Sequence, residues 1–554
     1  MIKKVFFISL FFLSVCSQSF SQEALKSIEE EYYDFLALNG TVERPTLGYR
    51  TLSDSVWEFN ENESEEKSLD HIWKENNLGT TFTLWEASSP VENGFTRGIN
   101  LAITARIYGP EWFNSYNTHI PFGQNDGALW QGRGYNTSLT TGVRIEGFGF
   151  EATFKPQISW MENREFDFVK SVQQNQYGYF VSAIDLVQRY GDSSFWNYNW
   201  GDSEIRWTWK SITLGFGTQS PWLGPAYLNP MLGSNNAGGY AKVDLGLRKT
   251  EIILPYLDWN LGTIEGRVWN GQLKESGYYD ENPDNDKRML NALSISYCPS
   301  FIPGFTINLN RIFITYWRNE NFKYLWKLFT NERSNSLSSS GNDEDQKVSL
   351  SLHWEFPKPG FAFYIEFGRD DFSSSEETNP FHTGIYTVGA KQNIPLPLNL
   401  KSELIFEWND FEMSQDFQME WPYIGFYGHG FVRQGYTHNG QILGAGSGYF
   451  GNSQFFMYKV YFQKGFCSFT FHRYCPNNNY VYSQSVNTAV NKELKERWFD
   501  RFETFFVIGG DLGYYFTNDF LAYASFSVID GFCLNYEKTG IYSYNIQIKL
   551  KYSF

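Results

Sequence analysis

The sequence predicts an all-β fold: a transmembrane antiparallel β-barrel of about eighteen strands with a short N-terminal periplasmic helical segment. Three observations carry that prediction. The chain alternates to its last residue, with Tyr542, Tyr544, Ile546, Ile548, Leu550, Tyr552 and Phe554 on one face and Ser543, Asn545, Gln547, Lys549, Lys551 and Ser553 on the other. Aromatic residues make up 19% of the 554 positions, with 51 Phe, 36 Tyr and 19 Trp, a content that suits a lipid-facing wall with interfacial girdles. Short and long connections also interleave, as periplasmic turns and external loops do in outer-membrane barrels.

The elements follow in chain order. The apolar run over residues 5–15 follows Lys3 and Lys4 and precedes Ser19-Phe20-Ser21. Residues 1–21 are therefore expected to be a secretory signal peptide, cleaved before Gln22 and too short for an anchor. A lipidation site at Cys16 fits poorly, because Val15 stands where a small residue belongs. A mean hydropathy of -0.42 leaves no room for a bundle of membrane helices. Residues 22–97 form a leader. In it Leu25, Ile28, Tyr32, Phe35, Leu36 and Leu38 recur at near-helical spacing around Glu29, Glu30 and Glu31, which predicts an amphipathic helix ending near Asn39-Gly40. A second acidic stretch, residues 58–73, sets Leu69, Ile72 and Trp73 on one face. Both precede the first strand, which places them on the periplasmic side as a plug, a partner surface or a loose leader.

Over residues 98–554 the period is two. Ile99, Leu101, Ile103, Ala105 and Ile107 alternate with Asn100, Thr104 and Arg106; Val348, Leu350, Leu352, Trp354 and Phe356 alternate with Lys347, Ser349, Ser351, His353 and Glu355. Many runs reach about ten residues, the length of a tilted spanning strand, whereas sandwich strands average about five or six. Short links are expected near Gly147, Lys210, 255–260, 299–303, 357–360, 395–397, Gly465 and Asn518. Long ones fall at 109–135, 161–202, 219–239, 319–346, 409–454 and 476–499. An even strand number lets a single chain close and leaves no backbone edge in lipid.

Charge and side-chain chemistry narrow the function. A net charge of -16 argues against nucleic acid and means that any anionic polymer must be held by local contacts or bridging cations. Cys298, Cys467, Cys475 and Cys533 show no metal-ligand spacing and read as free or incidentally paired thiols. Neither a metal nor a cofactor is expected. The seven His form no H-E-x-x-H, and the chain has no G-x-S-x-G elbow or P-loop. An outer-membrane hydrolase built from dispersed Ser, His and Asp stays open as a minor alternative, with His429 and His438 in the longest loop as its best imidazoles.

Two segments are too rich in Gly, Asn and aromatics to be plain spacers. One runs from Ile184-Asp185-Leu186-Val187-Gln188-Arg189-Tyr190-Gly191 to Trp222-Leu223-Gly224-Pro225 and Ser234-Asn235-Asn236-Ala237. The other is Arg433-Gln434-Gly435-Tyr436-Thr437-His438-Asn439-Gly440-Gln441-Ile442-Leu443-Gly444. As an ordered set they resemble the Wzi family of capsule assembly proteins, whose pattern is I-D-x-x-x-R-F-G, a W-G-P turn, S-N-N-A, and R-x-G-Y followed by G-x-x-L-G. With the helical leader, the strand count and Phe554, the resemblance covers nearly the whole mature chain. Two departures stand out: Leu223 interrupts the W-G-P turn, and Tyr190 replaces Phe.

The resemblance implies an outer-membrane, lectin-like barrel of eighteen strands, with a helical plug and a lumen blocked by external loops. Its partners would be capsular or other surface polysaccharide, outer-membrane lipid and lipopolysaccharide, and a periplasmic polysaccharide-export partner for the leader. Trp222, Asn235, Asn236, Arg433, Tyr436 and His438 are the candidate polysaccharide-binding residues. Sugar C–H faces stack on aromatic rings, and sugar hydroxyls seek amide and guanidinium partners. Each residue also has an ordinary structural role available: Asn in turns, Arg433 with lumenal carboxylates, Trp222 in loop packing. A porin or substrate-specific channel is the main alternative, since about eighteen strands enclose a wide lumen.

Overall fold

The computed structural model describes residues 28–50, 58–59, 81–86, 102–171, 175–254, 257–330, 344–371, 379, 381–398, 400–421, 423–490, 498 and 500–554. The expected signal peptide lies outside them, as does all of the second acidic stretch except Glu58–Phe59.

Eighteen antiparallel strands close into one barrel. They are β1 (Ile103–Asn117), β2 (Gly134–Gly147), β3 (Phe150–Phe154 and Gln157–Met161), β4 (Phe195–Asn199 and Glu204–Trp209), β5 (Ile212–Gly217) and β6 (Lys242–Leu254). Then come β7 (Trp259–Lys274), β8 (Lys287–Pro299), β9 (Phe305–Tyr316), β10 (Glu344–Phe356), β11 (Phe361–Asp370) and β12 (Gly384–Pro395). The last are β13 (Lys401–Asp410), β14 (Asn452–Phe462), β15 (Gly465–Cys475), β16 (Thr504–Thr517), β17 (Phe520–Phe532) and β18 (Gly540–Tyr552). β18 pairs with β1 from Asn545 opposite Asn117 to Lys551 opposite Glu111. A separate segment, Thr81–Trp85, pairs with β1 where β18 has ended.

The short links fall where the sequence places them, at one end of the barrel. Two long links are shorter than expected. β1 runs through Gly109-Pro110 to Asn117, because the proline, which lacks an N–H, occupies a register shift between Tyr108 and Glu111 and costs no ladder bond. The first half of β4 extends into the expected 161–202 loop: Trp196 and Tyr198 point outward between inward Asn197 and Asn199, a dyad too short to stand out in sequence.

Outward positions carry the apolar band. Ile205, Phe216, Leu245, Phe406 and Ile548 present their side chains to the surroundings, and Trp259, Trp354, Phe356 and Phe554 lie near the short-turn end. Many inward positions carry paired charges: Arg206 bonds Glu204 at 2.6 Å and Asp244 at 2.8 Å, and Lys347 bonds Asp345 at 2.8 Å and Asp370 at 2.5 Å. The four described cysteines are free.

The lumen is filled from both ends. At the short-turn end, helix α1 (Ile28–Leu38) buries Tyr32, Tyr33, Phe35 and Leu36 against inward Tyr461, Phe466, Tyr515 and Leu521. Glu29, Glu30 and Asp34 are buried too, which the amphipathic pattern did not anticipate. Lumenal lysines supply the reason: Lys551 reaches Glu29 at 3.0 Å, Lys459 pairs with Glu31, and Lys391 reaches Asp34 at 3.4 Å. A buried carboxylate is tolerated when a cation meets it. Beyond α1 the chain continues along the lumen. Leu47 N–H donates to Glu265 at 2.5 Å, and Tyr49–Arg50 pairs with Trp222–Leu223.

At the other end, loops fold inward. Leu223, Met231, Leu232, Tyr427, Tyr436 and Leu443 pack on Trp269, Leu290, Ile312 and Ile385 from the strands. These loops form a hydrophobic core inside the barrel.

Candidate functional site

The motif segments converge at the loop end through backbone bonds. Asp185 N–H donates to Gln434 O at 3.0 Å and Val187 N–H to Gly440 O at 2.9 Å, which joins the 162–194 loop to the 411–451 loop. Ser234 N–H donates to Leu443 O at 3.1 Å, and Tyr436 O–H to Leu232 O at 2.6 Å, which adds the 218–241 loop. Gly440 has φ +81°, and a Cβ there would stand 2.3 Å from Val187 Cγ2, so only glycine fits the junction.

Two buried charges lock this hub. The Asp185 carboxylate accepts from Ser276 N–H at 2.7 Å and from Ser276 Oγ–H at 2.5 Å. Burial pushes its pKa up, against the pull of Ser276 and Arg288. Arg288 of β8 donates to Thr437 O at 3.1 Å, to Lys274 O at 3.2 Å and to Gly435 O. Both departures from the family pattern find a place here. Leu223 is fully buried in the loop core, and the Tyr190 hydroxyl donates to Asn439 O at 2.8 Å, a bond phenylalanine cannot make.

The six sequence-predicted site residues do not form one cluster. Trp222 is 3% exposed, and its Nε1–H donates to Ala226 O at 3.1 Å. Asn235 is buried, and its carbonyl accepts from Gly127 N–H at 2.6 Å. Tyr436 is buried in the hub. His438 is buried with Nδ1 accepting from Lys274 N–H at 3.1 Å, and burial pushes its pKa down to about 3. Arg433 lies exposed on the outer surface. Asn236 alone lines a cavity at the loop end; its Nδ2–H donates to Ile442 O at 2.9 Å, which leaves its amide oxygen as an acceptor.

That cavity measures about 130 Å³. The 118–133 loop supplies Gln124, Asn125, Asp126 and Gln131, while Gln441 comes from the longest loop and Tyr474 from β15. Trp130 adds an indole to its wall. Burial raises the Asp126 carboxyl to about 7, against contributions from Gln131 and Lys549. Sequence reasoning missed this wall. The signal was present in Gly123-Gln124-Asn125-Asp126-Gly127 and Trp130-Gln131, which have the same Gly, amide and aromatic bias as the two segments singled out. Two inner cavities, of about 230 Å³ and about 70 Å³, lie between the loops and the leader.

His429 and His438 are held within the loops. His429 Nδ1 accepts from Phe431 N–H at 3.2 Å and Val432 N–H at 3.0 Å, and Nε2–H donates to Asp371 at 3.1 Å. The His429, Asp345 and Asp371 donor atoms lie within 4.8 Å of one another. With both imidazole nitrogens committed, however, no lone pair is left for a metal. Neither His429 nor His438 hydrogen-bonds a serine, threonine or cysteine.

Residues 131–466 match the family model of capsule assembly protein Wzi. Among solved structures, the Escherichia coli outer-membrane protein Wzi, a carbohydrate-binding β-barrel involved in group 1 capsule assembly, aligns over 96% of this chain and 100% of its own. It does so at 12% identity with a TM-score of 0.56, a likeness of fold. Acinetobacter baumannii OccAB2 (10% identity, 83% of this chain and 99% of its own, TM-score 0.39) and Pseudomonas putida OprB (11%, 81% and 94%, 0.38) are more distant. No curated protein matches the chain.

Proposed function

Because the chain belongs to the capsule assembly protein Wzi family, we propose that it is a non-enzymatic outer-membrane barrel that binds capsular or other surface polysaccharide at its loop end and helps assemble or retain it there. The carrying observation is the amide-lined cavity, with Trp130 in its wall, built where the family's motif loops dock. Amides offer both a donor and an acceptor, which suits the hydroxyls of a sugar. The filled lumen supports a holding role over a channel. The leader, residues 22–97, then serves as the plug on the periplasmic side and as the docking segment for a polysaccharide-export partner, while the apolar belt contacts outer-membrane lipid and lipopolysaccharide.

The test uses the purified full-length protein and the producing cell's own polysaccharide. Saturable binding, together with loss of cell-attached polymer on deletion of the gene, supports the reading. No binding, with glycan attachment unchanged by the deletion, overturns it.

A further inference from the structure

We infer that the outer cavity receives an uncharged sugar unit, a hexose or N-acetylhexosamine, and selects against uronic acids and other anionic units of the same polymer. This rests on the proposed polysaccharide binding and names the chemistry of its site.

The lining decides the class. Gln124, Asn125, Gln131, Asn236 and Gln441 are all amides. An amide offers both a donor and an acceptor, which matches a hydroxyl or an N-acetyl group in either role. A carboxylate accepts only, and it is held well by paired cationic donors. The lining supplies no cation; its single ionisable carboxyl is Asp126. Two basic residues that adjoin the lining in sequence bond elsewhere. Arg133 donates to Thr118 O at 3.0 Å and to Glu165 O, and Arg473 donates to Gln454 at 3.2 Å and to Asn452. Lys549, which acts on Asp126, is paired with Glu111 at 2.9 Å. An anionic sugar would therefore lose hydration with no cation in the lining to receive it, within a chain of net charge -16.

Geometry sets the size. At about 130 Å³ the cavity is below the range of roughly 300–1,000 Å³ usual for drug-sized ligands, so it takes one ring with flanking units outside. Trp130 supplies the indole edge of the wall, while Tyr474 is itself stacked between His472 and Phe505. The floor is tight at Gly446, where a Cβ would stand 2.6 Å from Asn236 Oδ1 and 3.2 Å from Gln124 Cγ.

The experiment is competition against labelled native polymer on the full-length protein in detergent. The competitors are oligomers of glucose, of N-acetylglucosamine and of galacturonic acid at matched length. A neutral oligomer is expected to compete at least about tenfold better than the acidic one, and Gln441→Ala and Gly446→Ala are each expected to weaken it about tenfold, the worth of one hydrogen bond or a closed pocket. Stronger competition by oligogalacturonate, lost in the same variants, overturns the inference and leaves polysaccharide binding standing. Neutral competition unaffected by either variant, or native binding that no neutral oligomer displaces, overturns it equally. Native polymer that fails to bind at all removes the proposed function itself.

Discussion

Replacing Asp185 with alanine should release the hub while leaving the barrel closed. Asp185 is buried, and its carboxylate takes two hydrogen bonds from Ser276, at 2.7 and 2.5 Å. A hydrogen bond to a charged group contributes about 1.5–3 kcal/mol. Two of them, offset by the desolvation that raises the Asp185 pKa, leave a net contribution of about 3 kcal/mol. The 162–194 and 411–451 loops meet through Asp185 N–H and Gln434 O, so the loss falls on local opening of that junction, by a factor of roughly 100. Tryptic cleavage after Arg433 reads it directly. Arg433 is exposed but lies between buried Val432 and Gln434, so the protease needs the strip to open. When reclosing outpaces cleavage, the rate follows the opening equilibrium. The Asp185→Ala protein should be cut at Arg433 about 100-fold faster, with cleavage at exposed Lys210, in a short turn at the opposite end, unchanged. An Arg433 rate within about threefold of the parent, or an equal rise at Lys210, would refute the assignment of Asp185 as the hub lock.

Arg288→Met should lower hydrogen-exchange protection of amides 434–440 by about 2–3 kcal/mol, and combining it with Asp185→Ala should cost less than the sum, since the two share one network. Asp126, raised by burial to about 7 from the ordinary carboxylate range, contributes stability that is fully present below about pH 4 and lost as pH rises through 7. Protection factors across residues 118–133 should fall over that window and become flat in Asp126→Asn; a pH-independent parent protein would contradict this. Lys459→Ala with Lys551→Ala removes the cations that meet Glu31 and Glu29, and exchange in Ile28–Leu38 should quicken about tenfold or more. In planar bilayers the parent protein should be silent, because the inward-folded loops and α1 occupy the lumen; steady conductance would favour the channel alternative.

The barrel was legible in the chain because strand chemistry is local. A residue two positions along faces the same way, so lipid on one side and lumen on the other write themselves into Tyr542–Phe554 without reference to any distant residue. Link positions were legible for a similar reason, since turn residues act over a few bonds. The two errors, at Gly109-Pro110 and at Phe195–Asn199, come from a bulge and a short dyad that only neighbouring strands identify.

The site was legible in composition and not in direction. Glycine, asparagine and aromatic enrichment marked the right loops, but the same residues build a buried hub and an open cavity. Trp222, Asn235, Tyr436 and His438 turned inward to pack and to satisfy backbone groups, Arg433 turned outward, and Asn236 reached the cavity. By itself the sequence determined the membrane barrel, its turns and its family. Only the tertiary structure decided which loop side chains face a ligand, because that choice depends on partners as far apart as Asp185 and Ser276, or Asn236 and Gly446, that meet only once the barrel has closed around them.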